Sequence, residues 1–326
     1  MGNSHNKGGM TMSKNQLMPE EGEDQEREEP MSKPLPGHVP YVILNNGVAM
    51  PQEGFGVFQI PKAEECQEIV DQALDVGYRL IDTAQFYHNE AAVGLAVEES
   101  GIKREEVFLT TKVWVSNFGY DKTIDSVERS LSLLRTDYLD LVLLHQSVGN
   151  YLWAYRALED LYHEGKIRAI GVSNMENDRL LDLAGRANVV PAVNQVENHV
   201  FFQQKESVSL MKQNGIQPEA WAPMAEGKKG IFTNPLLIEI GDQYNKTAAQ
   251  VALRYVTQQG TVIIPKSSHR DRMEQNLDIW DFTLSANDMA QIETLDGGRS
   301  LFGYARMFSG IQKLGLLTAK KKPAAD

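Results

Sequence analysis

Four residues of this chain have the types and spacing to move a proton: Asp82, Tyr87, Lys112 and His145. The first two lie in LIDTAQFYHNE (80–90), where an alternating run breaks into an acid and then a polar, aromatic loop. Lys112 stands in TTKVW and His145 in LLHQS, each closing an apolar run. Tyrosine ordinarily titrates near 10, so donating a proton near neutral pH calls for a drop of roughly three units, about 4 kcal/mol. An ammonium about 4 Å from the phenol, at an effective dielectric near 20, supplies on the order of 4 kcal/mol in favour of phenolate. Lys112 is therefore expected to bring Tyr87 down towards neutrality, and Asp82 to hold Lys112 charged and in place. His145 is expected to position a carbonyl oxygen or share its developing charge. An isolated Asp–Lys pair is often only structural. Four such residues converging on one rim point to catalysis.

Convergence needs a scaffold. Apolar runs at 54–58, 78–83, 107–113, 138–145, 167–173, 192–197, 217–223 and 261–266 read as strands. Between them lie helical patterns such as AEECQEIVDQALDVG and YLWAYRALEDLYHEG. Eight strands alternating with helices predict a parallel sheet closed into a (β/α)8 TIM barrel, whose chemistry sits at the C-terminal strand ends. An open doubly wound sheet would carry a glycine-rich fingerprint after its first strand, and GFGVFQ lacks the third glycine. Ahead of the barrel, YVILNNGVAMP places two short apolar runs around Asn45, Asn46 and Gly47, predicting a β-hairpin cap. Thr247 with Gln250, and Ser285 with Asp288, read as capping boxes that open helices.

The 326 residues are 42% hydrophobic and 23% charged, ample for a large buried core. A formal net charge of −12 argues against nucleic acid or an anionic membrane as partner. The lone cysteine, Cys66, excludes an intramolecular disulfide. No run approaches the ~20 apolar residues of a membrane span, and the first residues lack the apolar core of a secretory signal, so a cytoplasmic protein is expected. The seven histidines are scattered without metal-ligand spacing, so no metal is expected. Glu20 to Glu29 hold seven acids, one base and no apolar side chain. Such a stretch cannot offset its ordering entropy by burial. Residues 1–38 are read as a disordered acidic extension, and 39–326 as one barrel domain.

Taken together, GFGVFQ, IDTAQFYHNE, TTKVW, LLHQ, GVSN, VNQVE and IPKSSHRDRMEQN resemble the aldo-keto reductase superfamily from about Tyr41 to Leu301. EAWAPMAEGK is similar to bacterial members of the diketogluconate and glyoxal reductase kind. The resemblance implies reduction of a carbonyl by NADPH, with Tyr87 protonating the oxygen. It implies that Ser173, Asn174 and Gln195 hold the nicotinamide carboxamide, and that Trp221 stacks on the ring with Pro223 beside it. Lys266, Ser267 and Arg272 combine two cations and a hydroxyl, a focused site for a phosphate dianion. The resemblance assigns them the 2′-phosphate of NADPH, and Asn276 the adenine.

Rim position makes Phe58, Trp114, Phe118 and Gln146 the expected substrate contacts, with residues after Arg299 covering them. Gln146 gives the mouth a polar character suited to small carbonyls such as α-keto aldehydes or keto-sugars. A monomer is expected. A cofactor-binding regulatory or structural subunit with weak turnover is the alternative reading, and an NAD-linked alcohol oxidation a third.

Overall fold

The computed structural model describes residues 39–60 and 62–303. The acidic stretch and the tail beyond residue 303 lie outside the described residues. The chain opens with the expected hairpin, β1 (Tyr41–Ile43) paired antiparallel with β2 (Ala49–Pro51). Eight parallel strands follow: β3 (Phe55–Gly56), β4 (Leu80–Asp82), β5 (Phe108–Val113), β6 (Leu139–Leu144), β7 (Ile167–Ser173), β8 (Val193–Glu197), β9 (Gln217–Trp221) and β10 (Val262–Ile263). Each pairs with its neighbour in chain order.

The two end strands meet through Gly54 N–H donating to Ile263 O (2.8 Å), Ile263 N–H to Gln52 O (3.1 Å) and Gly56 N–H to Pro265 O (3.1 Å). That seam closes the (β/α)8 barrel. It also explains the glycines of GFGVF. A Cβ on Gly54 would lie 2.1 Å from Leu80 Cδ2, and one on Gly56 would lie 3.0 Å from Ile264 O. Both closing strands are shorter than their apolar runs, two residues each. At the seam Pro265 has no N–H to extend the ladder.

Around the sheet run α1 (Ala63–Val76), α2 (Glu90–Glu99), α3 (Tyr120–Leu133), α4 (Tyr151–His163), α5 (Asn177–Arg186), α6 (Lys205–Gln213), α7 (Pro235–Tyr244), α8 (Ala248–Gln258), α9 (Arg270–Leu277) and α10 (Ala286–Glu293). Both expected capping boxes form, at Thr247 for α8 and Ser285 for α10. Asn234, a cap not foreseen from the sequence, accepts from Leu236 N–H and Leu237 N–H to start α7.

Strand alternation sends the apolar side chains to the two faces of the sheet, those facing the helices falling into two clusters. Ile81, Leu109, Val142 and Leu144 face the helices and pack with Ile69, Val70, Val97 and Val127. Leu80, Leu141, Leu143, Ala169, Val193 and Val262 form the inner cluster, together with Leu44 and Met50 from the hairpin. Each such side chain taken from water contributes about 1.5–3 kcal/mol. The hairpin thus packs on the barrel's inner cluster, and the ionisable residues come at the other ends of the strands.

Candidate active site

Asp82 ends β4 and Lys112 lies one residue from the end of β5, both facing the interior. Lys112 is fully buried, and its ammonium donates to Asp82 Oδ1, to Thr83 O at 3.0 Å and to Tyr87 Oη at 3.4 Å. Tyr87 closes a single 3-10 turn, Gln85–Tyr87, rather than an irregular loop. His88 follows in the left-handed region (φ 57°), which turns the chain sharply into α2. Asn89 fixes that turn. Its Nδ2 donates to Val57 O (3.0 Å) and Ile60 O (3.2 Å), and its Oδ1 accepts from Thr83 Oγ1 (2.7 Å). Glu90 accepts from Thr111 Oγ1 at 2.6 Å. The polar residues flanking Tyr87 therefore lock its loop to the segment after β3 and to β5.

His145 follows β6, and its ring meets Tyr87 edge-on at a centroid distance of 5.7 Å. Trp114 lies 5.1 Å and Phe86 6.3 Å from the same imidazole, and Phe86 stacks on Trp114 at 4.1 Å. Phe58 contacts Tyr87 at 5.0 Å. Of the four substrate contacts expected, Phe58 and Trp114 join this ring cluster and Gln146 is buried beside His145. Phe118 packs instead into the core between sheet and helices. Phe86, half exposed at the mouth, and Gln85 were not foreseen. Gln85 Oε1 accepts from Trp114 N–H (3.0 Å) and Asn117 Nδ2 (2.8 Å), while its Nε2 donates to Ser126 O and Ser130 Oγ at 3.2 Å each. One amide ties the Tyr87 turn to the Trp114 loop. The only sequence signal for it was adjacency to the Tyr87 turn.

The titration of Tyr87 runs opposite to expectation. Burial pushes the phenol up, Lys112 pulls it down without overcoming that, and Asp82 and Glu219 push further up. Desolvation of the phenolate, together with the carboxylates that offset the ammonium, outweighs the Coulomb attraction. Tyr87 therefore holds its proton. Burial pulls Lys112 down, but Asp82 and then Tyr87 outweigh it and keep the ammonium charged. Burial, reinforced by Lys112, holds His145 well below the usual imidazole range, so the ring is neutral at physiological pH. Its Nδ1 is buried without a hydrogen-bond partner.

The expected cofactor residues lie on or just after the next four strands, except Arg272 and Asn276, which lie on α9. Asn174, in the left-handed region (φ 55°), donates from Nδ2 to His145 O (3.2 Å) and Ser173 Oγ (3.1 Å). Its Oδ1 accepts from Trp221 Nε1–H at 2.8 Å, which pins the indole across β7 and β9. Gln195 Nε2 donates to Asp82 Oδ2 (2.9 Å) and Glu219 Oε2 (3.0 Å), so both of its hydrogens are used inside the barrel. Only its Oε1 is left for a carboxamide. Pro223 is buried just past β9. Lys266 and Arg272 are exposed and make no ion pair among the described residues, whereas neighbouring Arg270 is paired with Asp75 and Glu274. Ser267 is buried between them, and Asn276 reaches the Tyr78 hydroxyl. An unpaired cation couple beside a hydroxyl fits a phosphate dianion.

The model of the aldo/keto reductase family matches residues 54–296. The chain belongs to that family. This aldo/keto reductase is 47% identical over 256 residues to glyoxal reductase of Bacillus subtilis, covering 78% of this chain and 92% of the relative. A putative 2,5-diketo-D-gluconic acid reductase B superposes with TM-score 0.77 at 40% identity, over 81% of this chain and 94% of the other. An aldo-keto reductase solved in complex with NADPH superposes with TM-score 0.77 at 32% identity, over 81% and 90%. Among the described residues of this oxidoreductase no group of three or more His, Cys, Asp or Glu could hold a metal, and no helix is long and apolar enough to cross a membrane.

Proposed function

We propose that the protein reduces small polar aldehydes and ketones with NADPH, Tyr87 acting as the general acid. The carrying observation is the shared ammonium: Lys112 touches Asp82, Thr83 O and the Tyr87 hydroxyl, with the neutral His145 ring against the same phenol. NADPH, when bound, supplies a hydride to the carbonyl carbon. Oxygen then gains negative charge and needs a proton. The alkoxide is a stronger base than phenolate, so Tyr87 can donate even with its affinity for the proton raised. Lys112 stabilises the phenolate left behind, and Asp82 keeps Lys112 in position. His145, uncharged and ringed by Tyr87, Trp114 and Phe86, offers a neutral N–H to the oxygen rather than a second proton. Trp221, held by Asn174, is the face for the nicotinamide, and Lys266 with Arg272 hold the 2′-phosphate.

The substrate class is supported by the burial of the polar Gln146 next to His145 in the chain and by the similarity to glyoxal and diketogluconic acid reductases. Following NADPH consumption with methylglyoxal, a diketogluconate, an aromatic aldehyde and a steroid ketone tests it. The first two should give the highest kcat/KM. Preference for the steroid would refute the assigned class. Quenching of nicotinamide fluorescence without turnover of any carbonyl would identify a cofactor-binding subunit instead.

A further inference from the structure

Lys112 shares the barrel interior with two carboxyl groups. Glu219 stands on β9 in register with Gln195 on β8 and is fully buried. Gln195 Nε2 has two hydrogens and gives one to Asp82 Oδ2 (2.9 Å) and one to Glu219 Oε2 (3.0 Å). One neutral amide thus couples the two acids. Glu219 Oε1 has neither solvent nor a hydrogen-bond partner. The charged groups that face Glu219 are Asp82 from β4 and Lys112 from β5, with the Tyr87 phenol beyond Lys112. Two full carboxylates beside one ammonium would leave net negative charge in a dry interior, so one proton is retained. It belongs on Glu219, because Asp82 has the ammonium directly against it and Glu219 does not.

We infer that Glu219 is a positioning residue for the proton donor: as a neutral acid it leaves the field of Lys112 to Tyr87, and its ionisation weakens Tyr87 as an acid. The inference rests on the reductase reading given above and adds a pH-dependent element to it. Burial, reinforced by Asp82, pushes Glu219 up to about 8, inside the working range of a reductase assay. Tyr87 itself, raised from 10, titrates beyond that range. Raising the pH through 8 then puts a second negative charge next to the amide that steadies Asp82. Alkoxide formation and phenol ionisation both become harder.

The test is the pH profile of single-turnover reduction by wild type and Glu219→Gln, a neutral change of the same shape whose amide oxygen can still accept from Gln195. The wild-type rate should fall about tenfold between pH 7 and 9 with a midpoint near 8. The ratio of the pH 9 rate to the pH 7 rate should stay near one in the variant. Superimposable profiles would overturn the inference. Infrared difference spectra of the ligand-free protein provide a readout that needs no turnover. A protonated-carboxyl band that disappears between pH 7 and 9 in wild type should be missing from Glu219→Gln. A pH-dependent band unaffected by the substitution would overturn the inference as well. If Glu219→Gln does not fold, Glu219→Thr, smaller and also neutral, carries both comparisons. Loss of all carbonyl turnover with the band intact would sink the reductase reading alone.

Discussion

Removing the single oxygen of Tyr87 is the most direct test of the mechanism. In Tyr87→Phe the ring keeps its contacts with Phe58 and His145, and Lys112 keeps Asp82 and Thr83 O, losing only its longest hydrogen bond. A hydrogen bond from a charged group contributes about 1.5–3 kcal/mol, less than a domain's total stability, so the fold should survive. The proton must then come from elsewhere. His145 is a poor substitute, because burial and Lys112 hold it in the neutral form and make its remaining N–H a weak acid. A positioned general acid is worth about 10²–10⁴ in rate, which corresponds to about 3–5 kcal/mol of barrier. Lys266 and Arg272, at the end of β10 and on α9, are untouched by the change. NADPH should therefore bind within about twofold of wild type, since the phosphate site is unaltered. Stopped-flow single turnover of methylglyoxal, fluorescence titration with NADPH and a thermal melt together separate chemistry, binding and folding. A turnover rate within about fivefold of wild type, with binding and melting unchanged, would refute Tyr87 as the donor.

Three further outcomes follow from the geometry. Lys266→Ala combined with Arg272→Ala should weaken NADPH by about ten- to a hundredfold for each charge-assisted hydrogen bond removed, while leaving NADH unchanged, as measured by paired fluorescence titrations. Gln85→Ala releases four hydrogen bonds, two from the Tyr87 turn to the Trp114 loop and two to α3, so it should cost about 2–4 kcal/mol in a urea titration. It should also raise KM for the carbonyl more than it lowers kcat, and the reverse split would deny Gln85 a positioning role. Glu219 ionises near its ordinary carboxyl range when unfolded but only at about 8 when folded, so the unfolded chain binds fewer protons between those limits and stability falls as pH rises. Glu219→Gln should remove that slope and be more stable than wild type by a few kcal/mol at pH 8, but not at pH 4. Parallel melting slopes for the two proteins across that window would show the carboxyl ionised throughout.

The chain's own pattern determined the barrel. Period-two runs separated by period-3.6 runs specify which residues face inward, and a strand's last inward residue must lie at the rim. That is why Asp82, Lys112 and His145 could be brought together from their places in apolar runs, and why the Asn45–Asn46–Gly47 hairpin and two capping boxes were legible. The motif resemblance added the strand ends at Ser173, Trp221 and Lys266.

What the pattern could not show is which groups touch across the barrel and how much water they lose. Gln195 meets Asp82 from 113 residues away. In the sequence Glu219 is one more polar residue in a strand, and only closure makes it a second buried acid. The upward shift of Tyr87 likewise comes from burial. A charge–charge attraction can be anticipated from two residue types, but a desolvation energy depends on everything packed around them. Closure also turned Gln85 and Asn89 from loop residues into clamps on the Tyr87 turn, through partners 29 to 45 positions distant. Periodicity is local and survives in the sequence. Burial is collective and exists only once the eight strands have closed.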